Sequence, residues 1–437
     1  MLRLTTRDGV MLVSLLAAVG LVGVPAEAIE LGKVTGIPLP EARICVTGFD
    51  HNRPDPFPGL GDFIGWVGGV NRLANGELLF VHSAGYWHVS FATPIVLSDD
   101  LVEPYKKAGL DFDRKAPTGG RIMACRSKDN GETWSKPVTV YDGPRDCRPS
   151  ASFVTNTGTV IVMVNMQASW YGFPEAPPGG QTLNTRQLVV RSTDHGNTWS
   201  EPQPLNSSGT YYTRGRSRGL QLPDGGILWL SYDMNKGSKV LDGTVHRSDD
   251  DGKTWRVISV IRRRKPAGDN VDAADLVVSG DADAFLDLGT PEDDKWIDTD
   301  EGELGRLGNG RLVLVARPDG GTLVSDDEGV KWRQISRVGP KYVYAPSLVV
   351  LGDDTIVLTA GGSGGQCVFL SIDGGKTWSD PIQIDPKAYG YGRLTLLKDK
   401  SILLAYVEHH GAPQRCLMVR FKVNAARDRV ELLLIGQ

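Results

Sequence analysis

Arginine, tyrosine and glutamate recur at a fixed distance ahead of tight turns. Glu301 stands nine residues before Gly310 and sixteen before Arg317. Tyr391 stands nine before Lys400, Tyr344 ten before Asp354, Arg148 ten before Gly158, and Trp66 ten before Gly76. Arg214, Arg216 and Arg218 come just ahead of the apolar run that starts at Leu220. Arginine gives a permanent charge and a planar, two-pronged contact to a carboxylate. A tyrosine, with a phenol pKa of about 10, becomes a nucleophile only beside a base, and a glutamate can be that base. Such a set suits an acidic ligand. No CxxC pair or Cys/His cluster suggests zinc, and no cofactor is expected.

The elements that would position these residues form a repeat. One octapeptide reads SKDNGETW at 127–134, STDHGNTW at 192–199, SDDDGKTW at 248–255 and SIDGGKTW at 371–378, with a decayed copy, SDDEGVKW, at 325–332. The start-to-start gaps are 65, 56, 77 and 46 residues. A fixed motif with variable gaps implies one supersecondary unit with loops of different length. The motif fits a hairpin turn, with Asp bonding the amides that follow it and Gly at a positive φ. Upstream of each copy lie two apolar strands around a Gly or Asp turn, as in Leu307 to Val315 and Ser347 to Leu358. Each unit is therefore about four strands, and such units set around an axis make a β-propeller. Tyr389 to the C-terminus supplies a sixth unit without the octapeptide. The chain is expected to be all-β, a six-bladed propeller, with each octapeptide between the third and fourth strands of its blade. Its 53 glycines among 437 residues, against a usual ~7%, agree with a chain dense in turns.

The repeated S-x-D-x-G-x-T-W boxes resemble the Asp boxes of the sialidases and their BNR-repeat relatives, over roughly Trp66 to Glu408. In that family, residues nine or ten before a blade's first turn line the mouth of the central channel. The resemblance thus places Trp66, Arg148, Arg216, Arg218, Glu301, Tyr344 and Tyr391 in one funnel. Glu301-x5-Leu307-x2-Gly310-x6-Arg317 is similar to the family's glutamate followed by a substrate arginine. Tyr391-x2-Leu394-x2-Leu397 is similar to the segment holding its tyrosine nucleophile. By resemblance, Tyr391 attacks the anomeric carbon, Glu301 takes its proton and Arg317 binds the substrate carboxylate. Sialidases with a tyrosine nucleophile depart from the usual pair of carboxylates.

Two family arginines are out of register. The blade-one stretch reads Phe63-Ile-Gly-Trp66 with no arginine, and Ser363 stands where the third is expected. Arg148, with Arg216 or Arg218, would form a displaced clamp. The acid/base aspartate is sought in the loop before the first box, at Asp113 or Asp111. His82 and His88 flank that loop and could contact a sugar. Arg262-Arg-Arg-Lys265 reads as a solvated loop.

Arg3 and Arg7 precede an apolar stretch from Val10 to Val24, and Ala26-Glu27-Ala28 follows. This is the layout of a signal peptide over 1–28, leaving a single propeller domain over 29–437, secreted or periplasmic. No later stretch is apolar enough to span a membrane, and a monomer is expected. The formal charge of −4 argues against a nucleic-acid surface. The expected function is a secreted exo-glycosidase acting on sialic acid or a related ulosonic or uronic acid, with a glycan as partner. The alternatives are a non-catalytic carbohydrate-binding propeller and a lyase on the same scaffold.

Overall fold

Short β-branched runs closed by Gly, Asn or Asp fold into hairpins. Leu312–Arg317 turns back on Asp300–Arg306 through Gly308-Asn309-Gly310, where Gly310 takes φ 92° and the Asn309 carbonyl oxygen accepts the Arg311 amide at 3.0 Å. The computed structural model describes residues 29–31, 44–48, 66–85, 120–135, 137–141, 145–170, 186–205, 212–234, 240–264, 277–280, 296–339, 343–361, 365–388, 390–407 and 415–433.

These residues form six antiparallel sheets, the blades of a propeller. Blade one is Val67–Arg72, Leu78–Gly85, Gly120–Ser127 and Val138–Tyr141. Blade two is Arg145–Val154, Val160–Trp170, Arg186–Ser192 and Gln203–Pro204. In blade three the innermost strand is broken into Tyr212–Gly215 and Leu220–Gln221, followed by Ile227–Met234, Asp242–Ser248 and Arg256–Arg264. Val277–Gly280 and Trp296–Ile297 extend its outer edge. Blade four is Asp300–Arg306, Leu312–Arg317, Gly321–Ser325 and Arg333–Arg337, and blade five is Tyr344–Val350, Ile356–Gly361, Gln366–Ser371 and Ile382–Asp385. Blade six is Gly390–Leu396, Ile402–Val407, Arg415–Val423 and Val430–Leu433. Two N-terminal strands widen it: Ile29–Leu31 pairs with Val430–Leu433, and Ile44–Gly48 with Arg415–Val423.

The core lies between blades. Each of six apolar clusters joins neighbouring sheets, such as Leu348, Ile356 and Leu358 of blade five against Val313 and Val315 of blade four. All five octapeptides sit between the third and fourth strands, as expected. In the first, the Ser127 hydroxyl accepts the Gly131 amide at 2.8 Å and donates to Asp129 at 2.7 Å, while Asp129 accepts the Thr133 amide at 2.9 Å. Each box packs on the preceding blade. Gly196 lies beside Leu79 of blade one, Gly252 beside Ile161 of blade two, Gly329 beside Leu228 of blade three and Gly375 beside Val313 of blade four, while Gly131 closes the ring beside Leu403 of blade six. Blade six has no box. Its last turn stands in, with Asn424 accepting the Asp428 and Arg429 amides and Arg427 pairing with Asp353 of blade five at 2.6 Å.

The boxes make the fold acid-sensitive. Partial burial pulls the carboxyls of Asp129, Asp250 and Asp373 upward, but hydrogen bonds from the box Thr and Ser outweigh it, and all three lie below the ordinary range, Asp129 at about 2. Bonds from Ser192 and Thr198 hold Asp194 down in the same way. A carboxyl depressed on folding stabilises the native state fully above its unfolded value near 4, and that contribution is lost as pH falls through the folded value. Thermal melts are therefore expected to fall most steeply between about pH 4 and 2, after a shallower decline that starts below about pH 6.5, where the buried and neutral His82 and His246 would gain a proton on unfolding. A melting temperature unchanged down to pH 2 would contradict this assignment.

The arginine run expected to be solvated is so only in part: Arg264 is exposed and Lys265 lies outside the described residues, but the first two arginines are not solvated. Arg262 and Arg263 lie in the outer strand of blade three and are buried. Arg262 grips Asp242 with two contacts at 2.8 and 2.6 Å, and Arg263 reaches Asp319 at 2.7 Å. Strand alternation and these carboxylates turned a charge run into a cross-strand network.

Candidate active site

Five innermost strands begin with an irregularity. The pairing register shifts between Asp300 and Glu303, Tyr344 and Ser347, Gly390 and Arg393, Val67 and Gly69, and at two places in Arg145–Val154. An extra residue bends a strand and re-aims its side chains. Glu301, Ala345 and Tyr391 occupy the bulge in blades four, five and six, with φ of 40°, 48° and 53°. A non-glycine residue there costs of order 1–3 kcal/mol and persists only where its surroundings fix it. The next residue in blades four and six is glycine. A Cβ on Gly302 would meet Leu230 at 2.7 Å, and one on Gly392 would meet Gln366 at 2.8 Å.

These bulges bring the expected residues together. The Tyr391 hydroxyl donates to Glu301 Oε1 at 3.0 Å and lies 3.1 Å from the Tyr344 hydroxyl. Arg317 Nη1 donates to the other Glu301 oxygen at 2.8 Å, and its guanidinium lies 4.2 Å from the Tyr344 ring centroid. Trp66 stacks on Tyr391 with centroids 5.2 Å apart, and Arg148 lies over Trp66 at 5.7 Å. Arg216 packs against the Tyr391 ring at 4.7 Å. Blades one to six thus contribute Trp66, Arg148, Arg216, Glu301 with Arg317, Tyr344 and Tyr391 to one contiguous cluster. Tyr391 is buried, and Glu301 and Tyr344 hold its hydroxyl.

The electrostatics follow from burial and charge. Burial opposes the Arg317 charge, but Glu301 and Asp300 outweigh it and raise the guanidinium above its ordinary value. Asp300 has no spacing that marks it in the sequence. Burial first, then the neighbouring Glu301, push its carboxyl well above the carboxylate range, with Arg317 pulling the other way.

A second network lies directly beneath. Arg393 and Glu303 form a fully buried ion pair. Arg393 also donates to the carbonyls of Ser150 at 2.6 Å, Val67 at 3.4 Å and Arg216. Glu303 accepts the Arg218 amide at 3.0 Å, and Arg218 reaches the carbonyls of Leu394 at 2.8 Å and Leu348 at 2.6 Å. These three side chains tie all six innermost strands together at the axis.

The structure separates some residues that the resemblance grouped. Arg218 points away from Tyr391 and lines a cavity of about 420 Å³ at the turn end of the innermost strands, with Asn71, Phe153, Glu303, Leu348 and Thr395. Its ties to backbone carbonyls give it an axial role, not a place in the funnel. His82 is fully buried in blade one, its Nδ1 3.0 Å from the Ser83 carbonyl and its ring stacked on Phe80, and desolvation lowers it to about 4. It presents no surface to a sugar, because it sits on the second strand of its blade, inside the sheet packing. Arg216 also has no exposed surface, standing behind the Tyr391 ring. Asp111, Asp113, His88, Ser363 and residues 1–28 lie outside the described residues. Among the described residues no group of three His, Cys, Asp or Glu could hold a metal ion, and no helix is long and apolar enough to cross a membrane.

Residues 121–281 match the BNR repeat-like domain. Solved structures with the same architecture include a protein of unknown function from Dyadobacter fermentans (TM-score 0.62, 14% identity, covering 90% of this chain and 98% of that one). A Hadza microbial sialidase aligns with TM-score 0.57 and 17% identity over 83% of this chain and 66% of that one. A sialidase from Streptococcus pneumoniae aligns with TM-score 0.56 and 12% identity over 89% of this chain and 72% of that one. No curated protein matches the sequence. The repeat match covers residues 121–281, and the chain has the six-bladed architecture of the sialidase fold.

Proposed function

We propose that this protein is a secreted, sialidase-like exo-glycosidase that removes a terminal acidic sugar. The observation that carries the reading is the 3.0 Å bond from the Tyr391 hydroxyl to Glu301, whose other oxygen is held by Arg317. Glu301 takes the phenol proton as Tyr391 Oη attacks the anomeric carbon and the glycosidic C–O bond breaks. The departing oxygen needs a proton from an acid, for which the sequence offers Asp113. Water, deprotonated by the same group, then attacks the glycosyl-tyrosine, and Tyr391 recovers its proton from Glu301. Two displacements at one carbon retain its configuration. A neutral phenol as nucleophile avoids bringing a carboxylate against a sugar whose own carboxylate sits on the anomeric carbon.

Arg317 supports the acidic-sugar reading. One edge of its guanidinium holds Glu301, yet 20% of its side-chain surface stays exposed. A ligand carboxylate there makes charge-assisted bonds worth about 1.5–3 kcal/mol each. Turnover of aryl glycosides is therefore expected with sialic acid, its deaminated analogue or uronic acids, and not with neutral sugars. Ordinary sialosides should be cleaved weakly, because Trp66 stands where one clamp arginine is expected. Robust cleavage of a neutral glycoside would overturn the assignment. Saturable binding of acidic sugars with no turnover would favour a carbohydrate-binding propeller, and an unsaturated product would favour a lyase.

A further inference from the structure

Arg216 stands nine residues before Gly225, which takes φ 92°. It therefore holds in blade three the position that Glu301 and Tyr391 hold in blades four and six. Its side chain behaves differently from both. The residue is fully buried. Its Nη2 donates to the Gly392 carbonyl at 3.0 Å, next to Tyr391 in sequence, and its guanidinium faces the Tyr391 ring at 4.7 Å. Its Nε and Nη1 are buried with no hydrogen-bond partner. A buried guanidinium with donors unmade is expensive, and such a group in a folded protein calls for an explanation. The two nearest carboxylates do not neutralise it by contact: Glu301 is paired with Arg317, and Glu303 with Arg393 and Arg218.

We infer that Arg216 is a positioning residue for Tyr391, whose buried charge against the ring face fixes the phenol and favours the negative charge that develops on Oη during attack. The inference rests on the reading of Tyr391 as the nucleophile and deepens it. Burial denies Arg216 any contact with a ligand, so its charge acts through the ring. The groups facing Tyr391 from each packed element are Glu301 with Arg317 behind it on blade four, Tyr344 on blade five, Arg216 on blade three, and Trp66 on blade one with Arg148 of blade two beyond. Glu301 opposes a phenolate, while Arg216 and Arg317 favour one. Burial lowers the Arg216 guanidinium, and Glu301 and Tyr391 push it back up. An opposite charge within about 4–6 Å lowers an acid's pKa by about 1–3 units.

The test reads tyrosine ionisation without substrate. Alkaline difference spectra of the full chain, taken with and without Tyr391→Phe, isolate the Tyr391 transition among 12 tyrosines. In Arg216→Met that transition is expected to move up by about one pH unit or more. In Arg216→Lys, which keeps the charge, it should stay near the parent value. Arg216→Gln, which keeps a donor for the Gly392 carbonyl, replaces methionine if that variant does not fold. On a substrate found by the glycoside screen, the neutral variants should lower kcat at least about tenfold with KM little changed, and lysine should restore part of it. An unchanged Tyr391 transition in both neutral variants overturns the inference. Absence of turnover on every glycoside sinks the hydrolase reading alone, since the spectral shift is read independently of it.

Discussion

Replacing Tyr391 by phenylalanine is expected to lower kcat by about 10³-fold or more while leaving substrate binding largely intact. The change removes one oxygen, the atom proposed to form the covalent bond. A loss of that size corresponds to about 4 kcal/mol of transition-state stabilisation. Binding should survive because the ring remains stacked on Trp66 and against Arg216. Folding should survive too. Glu301 loses one donor but keeps Arg317 at 2.8 Å, a deletion worth about 1–2 kcal/mol against the fold. The informative control is Tyr344→Phe. The Tyr344 hydroxyl lies 3.1 Å from the Tyr391 hydroxyl, against 3.0 Å for Glu301, but a phenol oxygen is a far weaker proton acceptor than a carboxylate. It should cost about tenfold or less. If both variants lose activity equally, the two phenols share the role. If Tyr391→Phe keeps full activity on an acidic glycoside, the nucleophile has been misassigned.

The contrast between what the sequence disclosed and what it hid lies in the bulges. Tyr391, Glu301 and Arg317 were legible because a turn residue with positive φ, Gly310 or Lys400, marks a fixed distance back along an innermost strand. The boxes were legible because each closes its own hydrogen bonds within eight residues. Tyr344 was found by a spacing one residue off, since the bulge of blade five falls on Ala345. Its side chain still reaches the site. Arg216 and Arg218 read alike in sequence, two apart and both ahead of Leu220. The break between Tyr212–Gly215 and Leu220–Gln221 sends one behind Tyr391 and the other down the axis. His82 was drawn toward a sugar by its neighbours in sequence, but a residue inside strand Leu78–Gly85 faces its own sheets. Arg393 and Glu303 carry no signal in the sequence, because a charge two residues from a functional one reads as a solvated neighbour. Only the register shift, which adds a residue between Gly390 and Arg393 and between Asp300 and Glu303, aims both at the axis.

That axial pair carries the largest expected effect on stability. Removing one partner of a buried ion pair leaves the other charged and unpaired, at a cost of about 3–5 kcal/mol. Glu303→Leu should meet or exceed that figure, because it strands Arg393 and also removes the carboxylate that Arg218 contacts through its amide and guanidinium. Urea unfolding at pH 7 measures it directly. Replacing a buried pair by apolar residues of similar volume is often nearly neutral, and on that ground alone Glu303→Leu with Arg393→Met would restore the fold. It should not. Arg393 also serves the carbonyls of Val67, Ser150 and Arg216, and methionine leaves these three buried acceptors without that donor. At about 1–3 kcal/mol for each unmet buried acceptor, the double variant should stay at least about 2 kcal/mol below the parent. Arg393→Lys separates charge from geometry. It keeps the pairing with Glu303 but cannot span three carbonyls on three blades, so it should unfold earlier while the Glu303 charge stays compensated. A double variant as stable as the parent would show that the six innermost strands hold their places by packing alone. The positions of Trp66, Arg148 and Arg216 would then owe nothing to the guanidinium beneath them.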